Sequence, residues 1–216
     1  MDQYTEPDYS NIGLITIDTQ NDFSLKGAVY EVKGTYEVIP NMAKILNKFR
    51  EKNKLIMHVV RIYKEDGSNV DICRKKKVEE GLKVAAPNSI GSELVKELKP
   101  NTIRLDTEKL LKGEIQKIAQ NEFVIYKSRW GAFYKTPLEV FLKEKGVTTL
   151  VFTGCNFPNC PRTSIYEASE RDFKLVVIED AISGIYSKGI EELKNICCEL
   201  IGTEEFLKKF SYKSLI

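Results

Sequence analysis

The chain has 216 residues, enough for one ordinary domain with a sizeable buried core. Its 33 basic and 31 acidic residues nearly cancel, so no strong overall field recruits nucleic acid or an anionic membrane, and a small-molecule substrate is the expected partner. No apolar stretch approaches the roughly 20 residues that cross a bilayer, the start from Met1 to Asp8 is polar and acidic, and the five cysteines lack zinc-ribbon or C-x-x-C spacing; a cytoplasmic location is expected.

The run Ile12 to Ile17 reads as a buried strand, and Asp18-Thr19-Gln20-Asn21-Asp22-Phe23 follows it. Val38, Met42, Ile45, Leu46 and Phe49 recur at helical spacing. A second strand is predicted over Leu55 to Val60 and carries the single histidine, His58, as a core residue. From Lys64 to Gln120 glycine and proline punctuate an irregular stretch, which reads as an excursion over one end of the sheet. Small helices are predicted there over Ser92 to Leu98 and Thr107 to Ala119, and the basic run Arg74 to Lys77 reads as solvated surface.

A third strand at Phe123 to Tyr126 leads into Lys127-Ser128-Arg129-Trp130-Gly131-Ala132-Phe133, then a helix marked by Leu138, Phe141 and Leu142. A fourth strand, Thr149 to Thr153, is broken by Gly154, and a helix is predicted from Pro161 to about Asp172, since proline favours a first helical turn. A strand at Leu175 to Ile178 precedes a last helix carrying Ile190, Leu193, Ile196, Cys197 and Leu200. Such alternation predicts an α/β fold, a mainly parallel sheet between two helical layers, in a single domain spanning 1–216.

Sites in open α/β sheets lie beyond the carboxyl ends of the strands. Asp18 follows the first strand, Lys127 the third and Cys160 the fourth. A thiol at a helix start is expected below its free pKa of about 8.5, because unpaired N–H groups favour the thiolate. A carboxylate, an ammonium and a thiol brought together can perform nucleophilic catalysis without histidine, with Asp18 taking the thiol proton, Lys127 steadying the charge and Cys160 attacking a carbonyl carbon. Structural readings stand beside this one: a turn cap, a solvated lysine, a buried small thiol. Two rival functions also stand, a silent small-molecule-binding protein of the same fold and a thiol redox protein using Cys155 and Cys160.

Taken in order, Asp18 to Phe23, Tyr126-Lys127 with Phe133, Thr153-Gly154 followed by Cys160, and Val177-Ile178-Glu179-Asp180-Ala181 resemble the signature of isochorismatase-like cysteine hydrolases, over roughly Ile12 to Leu200. The resemblance implies a Rossmann-like three-layer α/β/α sandwich, a triad of Asp18, Lys127 and Cys160, and a covalent thioester-type intermediate that water hydrolyses. It also implies an oxyanion hole from the backbone amides of Asn156 and Cys160, and a cis peptide between Cys155 and Asn156. A non-proline cis bond costs about 3–4 kcal/mol, so it would mark strain kept for the site.

Nicotinamidases of that family hold a metal through one aspartate and two histidines, and a chain with one histidine cannot. No metal or other cofactor is therefore expected, and nicotinamide is disfavoured as substrate. Isochorismatases proper lack the nucleophilic cysteine, so Cys160 places the chain with the amidase-like branch, cleaving a C–N bond of a small amide or carbamoyl-type compound. Phe23, Tyr63, Asn69, Trp130, Phe133, Phe157 and Arg162 are the expected pocket residues, while Arg61 and Arg74 read either as carboxylate receptors or as structural ion pairs. Relatives often form dimers or tetramers, which implies a homo-oligomer.

Overall fold

The structure, a computed structural model, describes residues 2–213. In chain order the elements are β1 (Ile12–Ile17), α1 (Asn21–Ser24), α2 (Thr35–Glu51), β2 (Leu55–Val60), α3 (Ile72–Glu79), α4 (Thr107–Leu111), β3 (Gln116–Ala119), β4 (Glu122–Tyr126), α5 (Leu138–Glu144), β5 (Thr149–Gly154), α6 (Cys160–Ser169), β6 (Lys174–Ile182), α7 (Ser187–Asn195), β7 (Glu199–Ile201) and α8 (Thr203–Lys213). Among the described residues these strands form one seven-stranded sheet in the order β3-β4-β2-β1-β5-β6-β7. Neighbours pair in parallel except β3, which lies antiparallel on the edge against β4.

β1 and β2 are buried along their whole length, as expected of strands covered on both faces. Their side chains alternate between two cores. Ile15, Ile17, Met57 and Val59 pack with Leu138 and Leu142 of α5, Ile165 and Ala168 of α6 and Leu193 of α7. Leu14 and Ile56 pack on the other face with Met42, Ile45, Leu46 and Phe49 of α2 and Phe206 and Phe210 of α8. Successive strands run from β1 through β2 to β4 on one side and from β5 through β6 to β7 on the other. The order therefore reverses between β1 and β5, and a crevice opens beyond their carboxyl ends.

Some elements differ from the sequence reading. The helix predicted over Thr107 to Ala119 stops at Leu111, where Gly113 takes a left-handed φ of 83°, and Gln116 to Ala119 becomes the edge strand β3. Only Lys96–Leu98 turns helically in the segment from Ser92, as a 3₁₀ turn. The last predicted helix ends at Asn195, because Cys197 adopts φ 57° and Leu200 joins β7; Cys197 and Cys198 are in the turn between them, not on a helix. α3 carries no buried residue and hence no apolar period to read. Among the described residues no helix is long and apolar enough to cross a membrane.

Candidate active site

Each of the four central strands delivers a polar side chain to the crevice. Asp18 directly follows β1, Arg61 β2 and Lys127 β4, while Cys160 opens α6 after the turn that leaves β5. Asp18 is held at a left-handed φ of 52° by its N–H, which donates to the Val59 carbonyl at 2.9 Å. Lys127 is fully buried and donates from Nζ to Asp18 Oδ2 at 2.9 Å and to the Arg129 carbonyl at 3.4 Å. The other Asp18 oxygen, Oδ1, is buried without a hydrogen-bond donor among the described residues. An isolated ammonium would not stay charged in such a place, and the carboxylate beside it makes burial tolerable.

Cys160 is 4% exposed, and its Sγ lies 3.8 Å from the Arg61 Nη2. Burial pushes its thiol pKa up and the Asp18 carboxylate adds to that, while the charges of Lys127 and Arg61 pull it down; the net direction is upward. This runs against the expectation of a thiolate at the helix start, and desolvation is the largest cause. Cys160 rests as a thiol and needs a base. Asp18 Oδ1, on the same cavity, is the free acceptor.

The turn from β5 to α6 also differs from expectation. Every described peptide bond is trans, Cys155–Asn156 included. The chain turns instead at Gly154, whose φ is 128° and whose place has no room for a side chain: a Cβ there would come 2.3 Å from the Ile17 carbonyl oxygen. The N–H groups of Asn156 and of Cys160 have no backbone acceptor among the described residues, the second because it opens the helix. Ser164 ties Cys160 in place, donating to the Cys160 carbonyl at 2.7 Å and accepting from Ala132 N–H at 3.0 Å.

A second charged cluster backs the first. Arg61 Nη1 donates to Asp71 Oδ2 at 3.0 Å, Arg74 Nη1 to both Asp71 oxygens at 2.9 and 3.1 Å, and the Tyr63 hydroxyl to Oδ2 at 2.9 Å. Burial raises the Asp71 carboxyl, but the Cys73 thiol, Arg61, Arg74 and Tyr63 outweigh it and hold it at about 2. Gln20 fixes the Arg61 backbone from both sides, accepting from its N–H and donating to its carbonyl, each at 2.7 Å. The residue after the second strand is not in the sequence-derived set, although the same rule selects Arg61.

Of the expected pocket residues, Phe23 and Tyr63 line the narrow cavity with Asp18, Asn156 and Cys160, and Tyr30, Val32, Arg61, Arg74 and Cys155 complete it. Trp130 stands just behind, its ring centre 5.2 Å from the Arg74 guanidinium. The other four stand elsewhere. Phe133 packs on Phe173 in the core, and Phe157 is buried against Tyr186 and Gly189. Asn69 ties its loop by donating to the Ile62 carbonyl and the Tyr126 hydroxyl, and Arg162 pairs with Glu192. The basic run is likewise more than a solvated surface, since Arg74 within it is ion-paired and largely buried.

Residues 13–205 match the family model described as the isochorismatase domain. The chain belongs to the isochorismatase family. Among its relatives, a probable inactive nicotinamidase of Arabidopsis thaliana is 31% identical over 87% of this chain and 90% of its own. A ureidoacrylate amidohydrolase of Methylobacterium radiotolerans is 28% identical over 78% of this chain and 65% of its own. The crystal structure of an isochorismatase family protein from Desulfovibrio vulgaris superposes with a TM-score of 0.79 at 28% identity, covering 93% of this chain and 98% of that one. Membership of this family, with amidohydrolases among the relatives, supports a hydrolase and amide C–N hydrolysis in general terms. Among the described residues no group of three or more His, Cys, Asp or Glu side chains is arranged to hold a metal ion.

Proposed function

We propose that the protein is a metal-independent cysteine hydrolase that cleaves the C–N bond of a small amide or carbamoyl-type substrate through a thioester on Cys160. The observation that carries this reading is a single juxtaposition: a buried thiol and a carboxylate share one cavity, the carboxylate held on one oxygen by Lys127 at 2.9 Å and free on the other.

In this reading Asp18 Oδ1 takes the proton of the Cys160 thiol as sulfur attacks the carbonyl carbon. The carbonyl oxygen becomes anionic and accepts from the N–H groups of Asn156 and Cys160. Losing one such donor typically costs about 3–4 kcal/mol of transition-state stabilisation. Asp18 passes its proton to the departing nitrogen, the C–N bond breaks and the thioester remains. Water then attacks the thioester carbon, giving its proton to Asp18, and the C–S bond breaks as that proton returns to sulfur. Lys127 holds Asp18 in orientation throughout through its 2.9 Å contact with Oδ2, and Arg61 stabilises the transient thiolate.

The test is release of ammonia or amine from a panel of small amides and ureido compounds, with mass spectrometry of the quenched enzyme. Turnover with an acyl mass on Cys160, both absent in Cys160→Ala, is the expected result. Release by the wild type that survives in Cys160→Ala, or no release from any member of the panel, overturns the reading.

A further inference from the structure

Two guanidinium groups line the cavity beside the thiol, and they share one counter-ion. Asp71 accepts Nη1 of Arg61 and Nη1 of Arg74, and is further occupied by the Tyr63 hydroxyl and the Cys73 thiol, the last at 2.8 Å. Arg61 Nη1 also donates to the Ser128 carbonyl at 3.1 Å, and beyond these bonds the Nη2 of Arg61 and the Nε of Arg74 are weakly engaged. The contact of Arg61 Nη2 is the Cys160 sulfur at 3.8 Å, and Arg74 Nε is buried with no acceptor from the protein among the described residues. Buried charged donors left in this way are costly, and a bound acceptor relieves that cost.

Charge counting points the same way. The groups lining or directly backing the cavity are Asp18 and Asp71, each negative, and Lys127, Arg61 and Arg74, each positive, a sum of plus one. Moving the thiol proton to Asp18 leaves that sum unchanged, so the imbalance persists through the chemistry. A monoanion cancels it. Arg74 is also braced as a receptor should be, its guanidinium carbon 5.5 Å from the Tyr30 ring centre and 5.2 Å from that of Trp130. A planar fork held this way loses little freedom on gripping a carboxylate.

We infer that the substrate is an amide or ureido compound bearing a carboxylate, and that Arg74 is the residue that selects it. The inference rests on the hydrolase reading above for its reacting end. The carboxylate lies at Arg74, and the scissile carbonyl reaches Cys160 and the Asn156 N–H. A monocarboxylate fits better than a phosphate, whose second charge overshoots the imbalance in a cavity this narrow.

The test uses a matched pair, N-carbamoylglycine and N-carbamoylglycinamide, which differ only in a carboxylate replaced by a neutral amide. Titration calorimetry with the Cys160→Ala protein measures binding with no turnover, so it stands even where hydrolysis fails. The carboxylate is expected to bind at least about tenfold more tightly, the scale of one charge-assisted hydrogen bond. Arg74→Gln, in the same background and checked for folding by its thermal transition, is expected to erase the preference by weakening the carboxylate alone. In active enzyme the same change raises KM for the carboxylate and leaves kcat nearly unaltered. Equal binding of the pair, binding of neither at millimolar concentration, or a preference that survives Arg74→Gln overturns the inference.

Discussion

Two charged networks are buried on the same strands, and they are built to opposite rules. In the body of the sheet, Thr16 of β1 meets His58 of β2 at 2.7 Å, His58 meets Glu122 of β4 at 2.8 Å, and Arg50 of α2 closes on both Glu122 oxygens at 2.7 and 2.9 Å. Each of these side chains has a partner. A few residues further along, at the carboxyl ends of β1 and β2, Asp18 Oδ1 has no partner among the described residues and the Arg61 Nη2 has only a sulfur, while Arg74 of α3, folded over them, leaves its Nε without an acceptor there. Burial of charge is common to both, whereas among the described residues the buried charged groups left incompletely satisfied are those of the cavity. A closed network can only hold the sheet together, while an open one has valences left for a ligand and for moving a proton.

Substitutions should therefore separate cleanly into those that abolish turnover and those that loosen the fold. Cys160→Ala is expected to reduce turnover by at least about four orders of magnitude while the protein melts cooperatively near the wild-type temperature, because removing a nucleophile removes the whole unit. Asp18→Asn keeps the shape but cannot take a proton, and should cost about 10²–10⁴-fold in kcat, measured by steady-state ammonia release. Neither result would survive if the open network were merely structural.

Glu122→Gln tests the closed network. Removing the charge leaves Arg50 uncompensated and should cost about 3–5 kcal/mol in denaturant unfolding, with turnover per folded molecule unchanged. A loss of kcat comparable to that of Asp18→Asn would break the distinction. Acid should expose the same network more gently. Burial raises the Glu122 carboxyl, but the hydrogen bonds of Arg50 and His58 outweigh it and bring its pKa from 4.5 to about 2. Because the folded value is the lower one, the pair stabilises the fold above pH 4.5, and this contribution is lost as pH falls from 4.5 towards 2. The melting temperature should drop through that window in the wild type and drop less in Glu122→Gln. The smallest effect is expected at Arg162, whose partly exposed bridge to Glu192 is worth less than about 1 kcal/mol, so Arg162→Ala should leave both kcat and stability close to wild type.

The layered fold was legible because its central strands announce themselves as unbroken apolar runs, which only doubly covered strands can be. β3 and β7 were not: an edge strand of four residues containing Gln116 and Lys117, and one of three, carry too little pattern to outweigh a helical reading. The candidate site was legible to the extent that strand ends carry it, since Asp18, Lys127 and Cys160 need nothing but their positions after three strands to be noticed. The second cluster escaped because its members depend on a fold-back that sequence spacing does not reveal. Asp71 and Arg74 lie on an excursion from β2 and return over Arg61 only through contacts such as Ala85 N–H to Asp22 Oδ2 at 2.7 Å. Phe133 and Phe157 misled for the converse reason, since an aromatic next to a site motif is as readily the packing under it as the wall of it.

Gly154 pairs in register with Ile17, the residue before Asp18, and is itself followed by Cys155 and Asn156. The contact that leaves no space for a methyl group thus sets the gauge between the strand that leads to Asp18 and the turn that leads to Cys160. Widening it by even one carbon would move no reacting atom chemically, yet it would shift base and thiol apart, and misplacement of about 1 Å can cost 10²-fold in rate. A bare hydrogen at position 154 is therefore a dimension of the proposed site, and an alanine there is expected to behave in an assay like the loss of Asp18 or Cys160.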